Sequence, residues 1–194
     1  VEQGILMKKV IFAVVGAGLL SGCAVTAMDA KVAPQPQFQT SEIGKGQTVS
    51  VVVVDERPSK NLGKRSNVGG VINMKDDLAA IYQTAVIDGL KKNGFNAVGA
   101  AAPGAATVKV EIRGLEEMST MGFWTMGTNI SASIKVYADS AGAHYEQMYR
   151  GEAEHRTVAL SGAKALNAKL NAVINNELEQ MFADQMLLTT LAKH

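Results

Sequence analysis

The sequence is poor in the residue types that most often carry chemistry. It has one cysteine, Cys23, so no disulfide, redox dithiol or thiolate metal cluster can be assembled within the chain. It has three histidines, His144, His155 and His194. The first two have opposite parity along one strand and face opposite sides, without supporting carboxylates, so no metal site is proposed and no cofactor is expected. Neither sign of charge is in excess: 19 basic residues stand against 18 acidic ones. A balanced chain has no overall attraction for nucleic acid or for an anionic lipid surface. No internal repeat is visible. The apolar run Val10 to Leu20 is eleven residues long, too short for a bilayer, which takes roughly 20. No nucleophile stands at a motif-defined spacing from a base. Ser161-Gly162-Ala163-Lys164 fits S-x-x-K, but the S-D-N-like and K-T-G elements that accompany it in penicillin-recognising enzymes are missing. A helix-capping serine beside an exposed lysine accounts for the pair. Glu116-Glu117 and Glu152/Glu154 read as solvated strand-face charges rather than an acid/base pair. These absences point to a noncatalytic protein.

What is present begins at the N-terminus. Met7-Lys8-Lys9, the apolar run and Leu20-Ser21-Gly22-Cys23 follow one another as a secretory signal does. The last four residues resemble the lipobox of bacterial lipoproteins. That resemblance implies cleavage between Gly22 and Cys23, with diacylglycerol on the Cys23 sulfur and an acyl chain on its new amino group. Residues 1–6 fit no part of a signal, and Met7 reads as the start. Removing residues 1–22 leaves 172 residues with 17 charges of each sign, enough for one domain with a core of its own.

Residues 24–46 contain Pro34, Pro36 and many small polar residues. With so little to bury, residues 23–46 are expected to form a lipidated, flexible tether, the alternative being a strand docked on the domain. Extended, the 23 residues after Cys23 would reach roughly 80 Å. Residues 47–194 are then the periplasmic domain, expected to fold without the tether. Thr48 to Asp55 is a β-branched run fit for a strand covered on both faces. Asp76-Asp77 caps a helix whose apolar positions run from Leu78 to Leu90, and Asn93-Gly94 ends it. Phe95 to Val98 is a short strand. Alternation then sets in around Val108, Val110 and Ile112, around Ile130 to Ala138, and around Tyr145 to Ala153, with a hairpin turn at Asp139 to Gly142. A long final helix, capped by Ser161, carries its stripe from Leu166 through Leu191. The fold class is α+β: a two-layer sandwich of a mixed or antiparallel sheet with two amphipathic helices on one face.

The lipobox, the Pro-containing segment, Val49-x-Val51-x-Val53-x-Asp55-x-Arg57, a helix ending Leu90-Lys-Lys-Asn-Gly94-Phe95, a meander and a long last helix together resemble the YajG-type family of bacterial outer-membrane lipoproteins. The resemblance implies a lipid-anchored protein on the periplasmic face of the outer membrane, with Ala24 rather than aspartate after the lipidated cysteine. It brings no catalytic residues with it. The function expected is an accessory or scaffold role toward an envelope protein or cell-wall component. A subunit of an oligomeric secretion or pore assembly is the alternative, and an envelope enzyme comes third.

Two stretches remain as candidate contact sites. Glu56 to Lys75 is long for a loop and gathers Arg57, Lys60, Lys64 and Arg65 as an anion-binding set. Asp55 and Arg57, at alternate positions of a strand end, can equally pair with each other. Met118 to Thr128 joins two strands and holds Met121, Phe123, Trp124 and Met126, either as a partner contact or as a tip folded into the core.

Overall fold

The computed structural model describes residues 27–64, 69–121, 126–157 and 162–193. Its centre is a long strand, β6 (Ala106–Met121), to which the other strands are joined directly or through one or two intervening strands. On one edge β6 pairs antiparallel with β7 (Met126–Ser140), and β7 with β8 (Ala143–Thr157), which is the expected meander. The other edge is shared. Its first half takes β2 (Thr48–Asp55) in parallel, with β5 (Asn96–Val98) outside it. Its second half takes β3 (Gly63–Lys64), then β4 (Val71–Met74) and β1 (Met28–Ala30). The result is a mixed sheet curled into a half-barrel, with three helices among the described residues, in the α+β class.

Helix α1 (Leu78–Lys92) forms where expected. The Asp77 side chain accepts from the N–H of Ala80, and Gly94 stands at φ +80°, the left-handed conformation a helix end asks for. Its buried face packs on β2 and β5. The final helical stretch is two helices rather than one: α2 (Ala163–Ala183) and α3 (Gln185–Leu191), divided at Asp184. An apolar stripe can run on through such a break, which is why periodicity reads it as continuous. Asp184 ends the first helix and caps the second, its carboxylate accepting from the N–H groups of Met186 and Leu187. The other carboxylate oxygen accepts from the Tyr145 and Tyr149 hydroxyls at 2.6 and 2.7 Å, so β8 holds the break in place. Ser161, expected as a cap, lies outside the described residues, and Gly162 takes the N-cap position. Helices α1 and α2 touch at Gly89, where a Cβ would stand 2.3 Å from the Phe182 ring. Only glycine allows that approach.

Two expectations need correction. Residues 27–46 are not a free tether. Besides β1, Ala30 and Val32 are buried, and Phe38 packs on Phe182 with ring centroids 4.6 Å apart. The N–H groups of Lys31, Ala33 and Gln37 donate to Asn167 Oδ1, Asn171 Oδ1 and Glu179 Oε1 of α2 at 3.0, 2.8 and 2.7 Å. An extended segment with little apolar surface is thus held by a polar stripe on the helix, at positions four and then eight residues apart. The docked alternative is the one the structure adopts for these residues, and the domain starts well before residue 47.

Nor is Glu56 to Lys75 one long loop. Leu62 and Ile72 are buried, and the stretch contributes the two-residue β3 and the four-residue β4 to the sheet. Strands that short leave no alternation to read.

Candidate functional site

Of the four cations grouped as an anion-binding set, two are brought together on a single carboxylate. The Arg57 side chain is 3 % exposed and forks onto Asp55, with Nε to Oδ1 and NH2 to Oδ2 both at 2.9 Å. Lys60 completes the cluster, its Nζ 3.0 Å from Asp55 Oδ2 and 2.8 Å from the Asp55 carbonyl oxygen. Burial works against the Asp55 charge, but the hydrogen bonds from Arg57 and Lys60 outweigh it and bring the carboxyl down to about 2. Two of the four cations are therefore committed to one carboxylate. Lys64 is exposed on β3, and Arg65 lies outside the described residues.

Of the apolar set, Phe123 and Trp124 lie outside the described residues, as do the side chains of Met121 and Met126; Cys23 and Gly22 are likewise outside them. Met118, in the same stretch, is described and is 62 % exposed. A β-bulge at Arg113 decides this. Val108, Val110 and Ile112 face the core ahead of it, whereas behind it Leu115 and Glu117 do. The extra residue exchanges the faces, sending Met118 outward and Glu117 inward. Glu117 is accordingly buried rather than solvated, and accepts from the Ser119 hydroxyl at 2.5 Å. Alternation alone does not reveal the bulge; Gly114 is its only sequence mark.

Sequence reasoning missed three carboxyls. Asp184 is described above. Glu111, on the helix-free side of β6, is buried among Lys109 at 2.6 Å, Arg113, and the Tyr137 hydroxyl at 3.3 Å. The Lys109 hydrogen bond, aided by the nearby cations, holds its carboxyl below the usual range. Glu177 of α2 is fully buried, and neither oxygen has a hydrogen bond of good geometry. Beside it stands the buried Tyr82 hydroxyl, which also feels the charges of Arg57 and Asp55. Burial pushes the Glu177 carboxyl well above its ordinary range, so it is held protonated. A glutamate inside an apolar stripe, at the position between Ile174 and Leu178, is the signal that points to it.

A raised pKa makes the sign of the pH effect definite. The folded chain keeps the Glu177 proton where the unfolded chain has lost it. That group's stabilising share is whole below about pH 4.5 and is lost as pH rises toward the folded pKa. The loss runs at about 1.4 kcal/mol per pH unit. Glu177→Gln, which cannot ionise, is expected to equal the wild type at pH 4.5 and to be the more stable of the two near pH 7. Urea midpoints at the two pH values check this.

A groove of about 750 Å³ lies between the extended segment 32–38 and α1. Pro34, Pro36, Phe38 and Ile81 give it apolar walls, with Asp88 and Lys92 at the rim. Asp55, Glu111, Glu177 and Asp184 do not line it. Among the described residues no group of three or more His, Cys, Asp or Glu side chains is arranged to hold a metal ion, and no helix is long and apolar enough to cross a membrane.

A crystal structure described as that of an uncharacterized protein shares the fold, with a TM-score of 0.50 at 9 % identity over 81 % of this chain and 97 % of that one. Lipoprotein GNA1162 from Neisseria meningitidis aligns over 71 % of this chain and 99 % of its own at 14 % identity, with a TM-score of 0.26. No curated protein matches the chain. Residues 34–192, nearly the whole described fold, match the model of a family described as uncharacterized lipoprotein, and to that family the chain belongs.

Proposed function

We propose that the protein is a lipid-anchored accessory or scaffold lipoprotein of the YajG type. It is held by acyl chains on Cys23 to the periplasmic face of the outer membrane, and it acts by binding an envelope partner rather than by catalysis. Its helices and sheet serve as the two layers of a rigid platform. The observation that carries the noncatalytic part is where the ionisable side chains go. Asp55, Glu111 and Asp184 are each taken up by structural partners, and Glu177 is sealed in the core, so these four carboxyls stand apart from the groove beside α1. An acid/base site needs such groups at the concave surface. The groove instead offers apolar walls with a charged rim, a surface suited to binding.

The anchor rests on membership of a lipoprotein family together with Leu20-Ser21-Gly22-Cys23. One acyl chain binds a membrane only marginally, at about 0.8 kcal/mol per buried methylene, and stable anchoring takes more than one signal. Cys23→Ser is expected to leave an unprocessed precursor and to abolish the mature form in the outer-membrane fraction. Normal processing and outer-membrane recovery of that variant would refute the anchor.

A further inference from the structure

Strand β8 leaves a long side of the sheet open. It is paired with β7 along one edge, and among the described residues no strand pairs with the other. Its 15 residues make that edge roughly 50 Å long at about 3.4 Å per residue, whereas the edge strands β1 and β5 have three residues each. Free edges are normally kept from pairing by shortness, bulges, proline or lysine. Strand β8 contains neither proline nor lysine, and its register against β7 runs without a bulge. Helix α2 reaches it with a side chain, Gln180 Nε2 donating to the Arg150 carbonyl at 2.9 Å, a bond that a backbone N–H can replace.

The even-numbered positions from 144 to 156 are exposed, while Tyr149 and Gly151 are buried on the other face, Gly151 tight against Val173 of α2. Among the described residues neither Arg150 nor Glu152 has an ion pair; an Arg150 nitrogen meets the Met148 sulfur at 3.4 Å. Two copies of one strand pair antiparallel with like faces together only if the two-fold axis passes through a residue, and the choice of residue sets which charges meet. An axis at Tyr149 sets Glu146 opposite Glu152, and one at Ala153 sets Glu152 opposite Glu154. Axes at Arg150 and Glu152 set each of these opposite itself. Like charges so placed repel. An axis at Gly151 has no such clash: Arg150 meets Glu152 of the second copy, Glu146 meets Arg156, and Met148 meets Glu154. On the inner face it sets exposed Gln147 against exposed His155, and buried Tyr149 against the partly buried Ala153. An axis at Met148 also avoids like charges. It would, however, bring Glu152 to His144, which Asp139 already holds at 2.7 Å, and exposed Gln147 to buried Tyr149.

We infer that β8 is a self-association edge: a second copy of this chain adds its own β8 antiparallel across a two-fold axis at Gly151, joining two sheets into one. The main-chain ladder supplies the attraction, and the charges choose the register. Arg150 and Glu152, which find no ion pair within one chain, find each other between two. Glu146, held by Lys135 at 2.6 Å, and Arg156, held by Glu154 at 3.2 Å, each gain a second opposite charge. The inference stands apart from the anchor and the function proposed above.

The test is disulfide crosslinking of the full chain, purified in detergent and treated with a mild oxidant. Met148→Cys and Glu154→Cys are made singly, because this register sets the two positions opposite each other and neither belongs to the Arg150–Glu152 or Glu146–Arg156 pairs. The parent chain, run beside them, reports any crosslink through Cys23. A mixture of the two variants is expected to give a linked dimer on nonreducing gels, and either variant alone several-fold less. Arg150→Glu or Glu152→Arg, added to both variants, should cut that crosslink several-fold, and the two reversals together should restore it. Melting curves should stay with the parent's throughout, since these side chains are exposed. No crosslink in the mixture, from chains that melt as the parent does, overturns the inference. So does a Met148→Cys dimer that forms alone as readily as in the mixture, which would place the axis at Met148. A mixture crosslink indifferent to the charge reversals overturns it as well.

Discussion

A fragment starting at Gln47 is expected to be far less stable than one starting at Ala27. The shorter fragment loses the buried Ala30 and Val32, the partly buried Met28, Phe38 and Ile43, and the β1 ladder. At the usual value of buried apolar surface this is on the order of 5 kcal/mol, comparable with the whole net stability of a typical domain. It also uncovers the polar stripe of α2 and the Phe182 ring. In thermal melts the midpoint should fall by about 10–20 °C, with the 47–194 fragment prone to aggregate, while the 27–194 fragment gives a single cooperative transition. Coincident midpoints would show that residues 27–46 contribute nothing to the fold.

Asp55→Ala is expected to be almost as damaging. The Arg57 guanidinium is enclosed, and NH1 already lacks a partner among the described residues. Deleting the carboxylate leaves a buried charge with no counterion, which typically costs about 3–5 kcal/mol. Lys60, 60 % exposed, simply swings into water. Replacing both partners at once, as in Asp55→Ala with Arg57→Met, should recover much of the loss, because the cost lies in the uncompensated charge. The pair also sets an acid limb. The Asp55 pKa is depressed from 3.8 to about 2, so its stabilising share is present above pH 4 and disappears as pH falls through 2. The single variant should lack that limb in urea titrations between pH 4 and pH 2.

The meander and α1 were legible because their burial is one-sided and their apolar positions keep a constant period over many residues; the β2 strand was legible from its β-branched run, although Val52, 44 % exposed, is not covered as expected. The pairing of Asp55 with Arg57 was legible for the same reason, since alternate positions share a face. What escaped reading is held by polar contacts or sits where the period changes. Residues 31–37 dock through backbone N–H groups, which every residue but proline carries and which no side-chain pattern announces. The bulge at Arg113 reverses the faces of β6, so that Met118 and Glu117 exchange the environments that strict alternation assigns them. The break at Asp184 hides inside an unbroken apolar stripe. The candidate site suffered from the same blindness: two of the cations counted together along the chain are taken up by a carboxylate that precedes them.

The branching of the sheet at β6 bears on how the chain can fold as it emerges. Strands β1, β4 and β3 can pair among themselves, and β2 with β5, but the hydrogen-bonded path between these two groups runs only through β6. A chain that appears N-terminus first therefore presents two disconnected patches, with the apolar Thr48–Asp55 strand open on one edge, until residues 106–118 arrive. The β6–β7–β8 hairpins are local and close fast, whereas β2 must find a partner nearly sixty residues downstream. Vectorial emergence thus leaves a window of aggregation risk at mid-chain. The window shuts when one late strand arrives to serve both halves.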